Sequence, residues 1–258
     1  MLELKNAICG YGKRIVVRGV SLTAEPGEII CILGPNGVGK TTLFKSILGH
    51  IDLLGGQVLL EGKDMRSMSR QAVARKIGYV PQVHMPPFPF TVRDVVVMGR
   101  TAYISLFSVP GAEDYRIAEE ALEAVGMSHL ADKIYTEISG GERQMLLIAR
   151  ALAQKTELLI MDEPTANLDF GNQIRTLRQV RKLARSGLAI VMTTHFPDHV
   201  YMCATKVAVI KSCDEVLIGR VEDVLTSDLL SELYGLSVDI TKVNVSGQKF
   251  TFCAPTVF

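Results

Sequence analysis

Lys40 and Thr41 lie near the end of the run Gly34-Pro35-Asn36-Gly37-Val38-Gly39-Lys40-Thr41-Thr42, whose residue types and spacing suit phosphate chemistry. Glycine lets backbone N–H groups turn inward around phosphate oxygens without Cβ clashes. The Lys40 ammonium can reach β- and γ-phosphates, and the Thr41 hydroxyl can bind Mg²⁺. An apolar run, Glu28–Leu33, precedes this loop, and a helix-like run, Thr42–Leu48, follows it. Strand, glycine loop and helix together form a phosphate cradle, because the helix N-terminus adds partial positive charge at the same place. The expected ligand is a nucleoside triphosphate with Mg²⁺. A glycine-rich turn that binds nothing is the plain alternative.

Two further segments carry chemistry. Leu158-Leu159-Ile160-Met161-Asp162-Glu163 is an apolar strand ending in two acids. A buried strand delivers such carboxylates to the carboxyl edge of a sheet, where α/β folds bind ligands. Asp162 suits a Mg²⁺-holding acid, and Glu163 can face an attacking water as its base or orienter. Ser139-Gly140-Gly141-Glu142-Arg143-Gln144 reads first as a capping box, with Ser139 and Glu142 three residues apart. A cap does not need two glycines, which weaken a helix. They are expected to let backbone approach a ligand, so that Ser139, Gly140 and Gly141 form a second anion site.

These residues need elements to position them. Residues 1–33 alternate in short apolar and polar runs, which predicts antiparallel strands leading into the loop strand. Strands are also expected at Gln57–Glu61, Ile77–Gln82 and Leu188–Thr193, and helices at Ser69–Lys76, Val92–Gly99, Glu113–Val125, Gly141–Ala153 and Ile174–Arg185. Met85-Pro86-Pro87-Phe88-Pro89-Phe90 has too many prolines for regular structure. The fold class is α/β: a mostly parallel P-loop core, an antiparallel β subdomain, and a helical subdomain inserted at residues 84–150. The chain reads as one such unit over residues 1–258, with residues 221–258 as a C-terminal extension; its end is expected to form two small hairpins around a helix near Asp228–Tyr234, the last hairpin over Val238–Cys253.

Composition narrows the partners. With 28 Lys+Arg against 27 Asp+Glu, the net charge of +1 gives no sign of a nucleic-acid partner. No apolar run is long enough to span a bilayer, and Met1-Leu2-Glu3-Leu4-Lys5 lacks the form of a signal peptide. A cytoplasmic protein, or one on the cytoplasmic face of a membrane, is expected. The five cysteines form no C-x-x-C pair and read as free, mostly packed thiols.

In this order the motifs resemble those of ABC-type ATPase subunits over essentially the whole chain. Gly34–Thr42 is similar to the Walker A motif, Leu158–Glu163 to Walker B, and Ser139-Gly140-Gly141-Glu142-Arg143 to the family signature. The signature departs from the common pattern at Glu142, where Gln is commoner, and at Ile138, where Leu is usual. Gln82 resembles the Q-loop glutamine, Asn167-Leu168-Asp169 the D-loop, His195 the switch histidine, and Tyr11 the aromatic that stacks on adenine. The resemblance implies Thr41, Gln82 and Asp162 around Mg²⁺, with Lys40, Gln82, Glu163 and His195 acting in hydrolysis. A zinc pair at His195 and His199 is disfavoured, because Pro197 between them suits a helix's first turn and no glutamate adjoins His195. His199 is expected to be ordinary surface.

The family further implies a head-to-tail dimer, with each ATP between the Lys40 loop of one copy and the Ser139 helix of the other. A polytopic permease and a periplasmic or lipid-anchored solute-binding protein would complete an importer. Phe88-Pro89-Phe90-Thr91-Val92 and His195-Phe196-Pro197-Asp198-His199 look like the importers of iron–siderophore, haem and cobalamin, with molybdate or tungstate import as the second reading. Soluble ABC ATPases of translation or DNA repair and small-molecule kinases are the rivals. The first usually carry two ATPase halves, and the second leave Ser139-Gly140-Gly141 without a use.

Overall fold

The structure is a computed structural model that describes residues 1–82, 88–105 and 108–256. Its centre is a six-stranded sheet of β3 (Ile29–Leu33), β6 (Ile77–Val80), β7 (Leu158–Met161), β8 (Ala189–Thr194), β9 (Lys206–Ile210) and β10 (Val216–Arg220). The spatial order is β10-β9-β3-β8-β7-β6, and only β10 runs antiparallel to its neighbour. Strands covered on both faces need continuous apolar sequence. Accordingly all five residues of β3 and all four of β7 are buried. Ile29, Cys31 and Leu33 face one core, while Ile30 and Ile32 face another.

The first core lies under α5 (Gly140–Ala153), α6 (Phe170–Arg185), α7 (Pro197–Cys203), α8 (Val221–Val224) and α9 (Ser227–Tyr234). The second holds α1 (Lys40–Ile47) against an antiparallel sheet ordered β2-β1-β4-β5. That sheet is built from β1 (Leu2–Tyr11), β2 (Arg14–Ala24), β4 (Gly55–Leu60) and β5 (Lys63–Asp64). The short α2 (Arg70–Ala74) leads into β6. A third core joins α3 (Val92–Val97), α4 (Ala112–Ala124) and α5, and Val95, Val96 and Val97 are all buried there. The hairpin β11 (Val238–Val245) and β12 (Gln248–Pro255) packs against α7 and α9.

Several boundaries differ from the sequence expectation. The helix expected over Val92–Gly99 is α-helical only to Val97 and then tightens into a 3-10 turn over Met98–Ala102. Gly99 lets that turn approach α5, since a Cβ there would stand 2.1 Å from the Arg150 carbonyl oxygen. Helix α6 begins at Phe170, four residues earlier than expected, because Asp169 caps it by accepting the Asn172 amide at 2.8 Å. Pro86 and Pro87 lie outside the described residues. Phe88 is exposed and meets Phe90 edge-on, and Phe90 packs on the third core.

Candidate active site

Parallel pairing brings the ends of β3, β6, β7 and β8 to one sheet edge, so Gly34, Gln82, Asp162 and His195 converge although they are far apart in sequence. The loop after β3 is tightly determined. A Cβ at Gly34 would stand 2.7 Å from the Ile210 carbonyl oxygen. Gly39 has φ 116° and precedes α1 without any side-chain cap, leaving the helix amides free for an anion. Val16 and Val17 of β2 press against Gly39, which sets the β1–β2 hairpin beside the loop. Tyr11, at the tip of that hairpin, is half exposed. Pro35, Asn36, Gly37 and Val38 complete the turn, with Gly37 at φ 82°.

Lys40 is buried. Its ammonium donates to the carbonyls of Gly34 at 2.8 Å and Pro35 at 3.0 Å, and lies 3.7 Å from Glu163 Oε1. Burial lowers its pKa, while Glu163 and Asp162 pull in the opposite direction. Glu163 is the meeting point of the cluster. Gln82 Nε2 donates to its Oε2 at 3.1 Å, and His195 Nδ1 stands 3.5 Å from the same oxygen. Glu163 also adopts φ 45°, a left-handed conformation that costs a non-glycine residue free energy.

Asp162 is buried, and burial raises its carboxyl pKa against the opposing hydrogen bonds of Thr193 and Thr41. Thr193, fully buried in β8, donates to Asp162 Oδ1 at 2.7 Å and accepts the Glu163 amide at 2.8 Å. A hydroxyl beside a carboxylate fits a hard divalent cation that takes its other ligands from phosphate and water. Among the described residues no group of three or more His, Cys, Asp or Glu could hold a metal alone.

Ser139 caps α5 reciprocally, its amide donating to Glu142 Oε2 at 2.7 Å and its hydroxyl accepting the Glu142 amide at 3.3 Å. Ser139 and Gly140 are exposed. Gly141 is not. Its Cβ would stand 2.4 Å from the Asn172 side chain, so a larger residue here would have to displace that side chain. The Asn172 amide side chain in turn donates to Asp169 Oδ2 at 2.7 Å. Asn172 thus occupies the space a side chain at Gly141 would need, while the same space at Gly140 is open. Among the described residues no hydrogen bond or ion pair joins Ser139, Gly140 or Gly141 to residues 34–42.

The expectation that His199 is surface is wrong. It is 5% exposed, with Nδ1 3.2 Å from Thr165 Oγ1 and 3.5 Å from Thr194 Oγ1. Its place on the inward side of α7 buries it, since Pro197 starts that helix at the sheet edge. Burial lowers its pKa. Thr193, Thr165, His199 and Asn172 went unnoticed in the sequence as site-supporting residues. A polar pair ending an apolar strand, Thr193-Thr194, was the available signal.

A phosphate cradle after the first parallel strand, with an acid pair at a nearby strand end, defines the class of P-loop nucleotide hydrolases. Within that class the chain belongs to the ABC transporter family, whose model matches residues 17–166, and it is an ATP-binding, ATP-hydrolysing member. It is 37% identical to the hemin import ATP-binding protein HmuV of Nocardia farcinica, covering 91% of this chain and 81% of the relative. It is 35% identical to the molybdate import ATP-binding protein MolC of Haemophilus influenzae, covering 89% and 85% respectively. A solved inward-facing, metal-chelate type ABC transporter superposes with a TM-score of 0.89 at 32% identity, covering 99% of this chain and 97% of that one.

Proposed function

We propose that this chain energises an importer of a metal chelate, such as an iron–siderophore, haem or cobalamin, by hydrolysing ATP between two head-to-tail copies of itself. The observation that carries the reading is the pairing of two anion sites in one chain. One is the loop at Gly34–Thr42 with Lys40. The other is the exposed end of α5 at Ser139 and Gly140, which no described contact joins to that loop. A tetra-anionic ligand can bridge the loop of one copy to the helix end of another.

In this reading Tyr11 stacks on adenine, and the amides of the loop with Lys40 hold the β- and γ-phosphates. Thr41, Gln82 and Asp162 hold Mg²⁺, which when bound neutralises phosphate charge. Glu163 orients the attacking water, held for that task by the hydrogen bond from Gln82 and the Lys40 ammonium 3.7 Å away, with His195 beside it. His195 reaches the γ-phosphate, while Asp169 lies at the seam between copies. The Ser139 hydroxyl and the amides of Gly140 and Gly141 stabilise charge developing in the transition state.

No described helix is long and apolar enough to cross a membrane. The reading therefore assigns the pore to a separate permease and the cargo choice to a solute-binding protein, with this chain docked at the cytoplasmic face. A groove of about 860 Å³ between α1, β6 and α5, lined by Ser46, His50, Tyr79, Met98, Arg150 and Gln154, suits a short permease helix. The helices of residues 84–150 would act as the lever, with Gln82 at their hinge.

Metal-chelate import is favoured by the superposition over nearly the whole chain and by the hemin relative. The molybdate relative, similar at 35%, keeps oxyanion import as the second reading. Deleting the gene and following uptake of a labelled ferric chelate, haem, cobalamin and molybdate separates them. Loss of chelate uptake with molybdate uptake intact is expected. Loss of molybdate uptake alone would replace the first reading with the second.

A further inference from the structure

The segment after Arg220 supplies none of the residues assigned above, yet it touches the site from behind. Tyr234, the last residue of α9, donates its hydroxyl to the His195 carbonyl at 2.9 Å. Burial holds that phenol far above its ordinary pKa, so it stays a donor at any physiological pH. Two more hydrogen bonds tie the same region down. Asp198, in the first turn of α7, accepts the Cys253 amide of β12 at 2.8 Å, and the Tyr201 hydroxyl donates to the Leu225 carbonyl at 2.9 Å.

The bracing segment is itself stapled together. Ser231 Oγ accepts the Val238 amide at 2.9 Å, and Ser227 Oγ accepts the Ile240 amide at 3.2 Å, which locks β11 onto α9. Leu230 of α9 is fully buried in the main core. A rigid support behind a catalytic loop matters because small displacements at the reacting centre cost rate steeply. His195 is held on its other flanks by Thr194, whose hydroxyl accepts the Phe196 amide at 3.1 Å, and by the Phe196 ring 4.0 Å away.

We infer that Tyr234 is a positioning residue for hydrolysis: its hydroxyl fixes the backbone from which the His195 imidazole reaches toward Glu163, so the C-terminal segment sets the rate of ATP cleavage and not the affinity for ATP. The inference rests on the role proposed for His195.

The test is Tyr234→Phe in the full chain, alone and with its permease, beside His195→Ala and the double variant. Steady-state hydrolysis, ATP affinity, thermal stability and the NMR signals of ¹³Cε1-labelled histidine are measured. For Tyr234→Phe, kcat is expected to fall by about tenfold with KM unchanged. The His195 signal should shift or broaden while those of His50 and His129 stay fixed, and the hydroxyl loss should add nothing in the His195→Ala background. An unchanged kcat with an unmoved His195 signal overturns the inference. So does a joint loss of stability and ATP affinity, which would make Tyr234 a fold support only. If His195→Ala keeps the parental kcat, it is the role given to His195 that fails; if that variant is slow and Tyr234→Phe is not, only the positioning role fails.

Discussion

The Thr193 hydroxyl donates to Asp162 Oδ1 at 2.7 Å and, through the same oxygen, accepts the amide of Glu163 at 2.8 Å. One buried side chain on β8 therefore sets both acids at the end of β7. Replacing Thr193 with Val keeps the shape and removes the hydroxyl. The Asp162 carboxylate and the Glu163 amide then lose a partner in a buried setting, at a cost of about 1–3 kcal/mol. Urea denaturation should show that loss, and a Mg²⁺ titration of ATPase activity should show a raised requirement. Unchanged stability and Mg²⁺ dependence would mean the hydroxyl holds neither acid.

Glu163→Gln keeps a polar side chain that can accept from Gln82 but cannot take a proton from water. ATP binding should persist, hydrolysis should fall by at least about 100-fold, and light scattering should find a closed dimer with ATP and Mg²⁺. Substantial turnover by this variant would remove Glu163 from its proposed role. Lys40→Ala should instead weaken ATP binding directly, as read by a fluorescent analogue.

The adjacent glycines of the α5 cap should respond differently. Gly141→Ala puts a methyl group 2.4 Å from the Asn172 side chain and must push Asn172 off Asp169. Thermal melting should drop by the equivalent of about 1–3 kcal/mol. At Gly140 the nearest atom is 4.0 Å away, so Gly140→Ala should fold normally and gain a few tenths of a kcal/mol of helix propensity, roughly. ATP-driven dimerisation is the property it should impair. Equal melting temperatures for the two variants would contradict the packing role of Gly141.

His199 gives the stability a pH dependence of known sign. Burial is the main cause of its lowered pKa, with His195 adding to the shift and Asp198 opposing it. Between the folded value and the ordinary 6.5, the unfolded chain binds a proton that the folded chain does not. Stability from this group is therefore complete above about pH 6.5 and lost as pH falls through that window. His199→Gln should flatten this part of the profile in chemical denaturation measured from pH 7.5 to 5. A parallel profile for the variant would show that His199 is not its source.

Much of the architecture was legible because parallel strands buried on both faces must be written as unbroken apolar runs. The strand Leu158–Met161, ahead of its two acids, was legible for that reason. The phosphate loop and the capped end of α5 were legible because glycine, lysine and serine at fixed spacing have local conformational consequences. Those consequences arise within a few residues and need no partner. What chain order could not express was which side of α7 faces inward, and so His199 was misplaced on the surface. Nor could it show that Gly141 serves Asn172, thirty-odd residues away, or that Thr193 holds two acids from another strand. Local sequence determined the glycine loop at 34–42 and the capped start of α5. Only the order of strands in the sheet decided which distant side chains meet around Glu163, because lateral pairing brings together residues that the backbone keeps tens of positions apart.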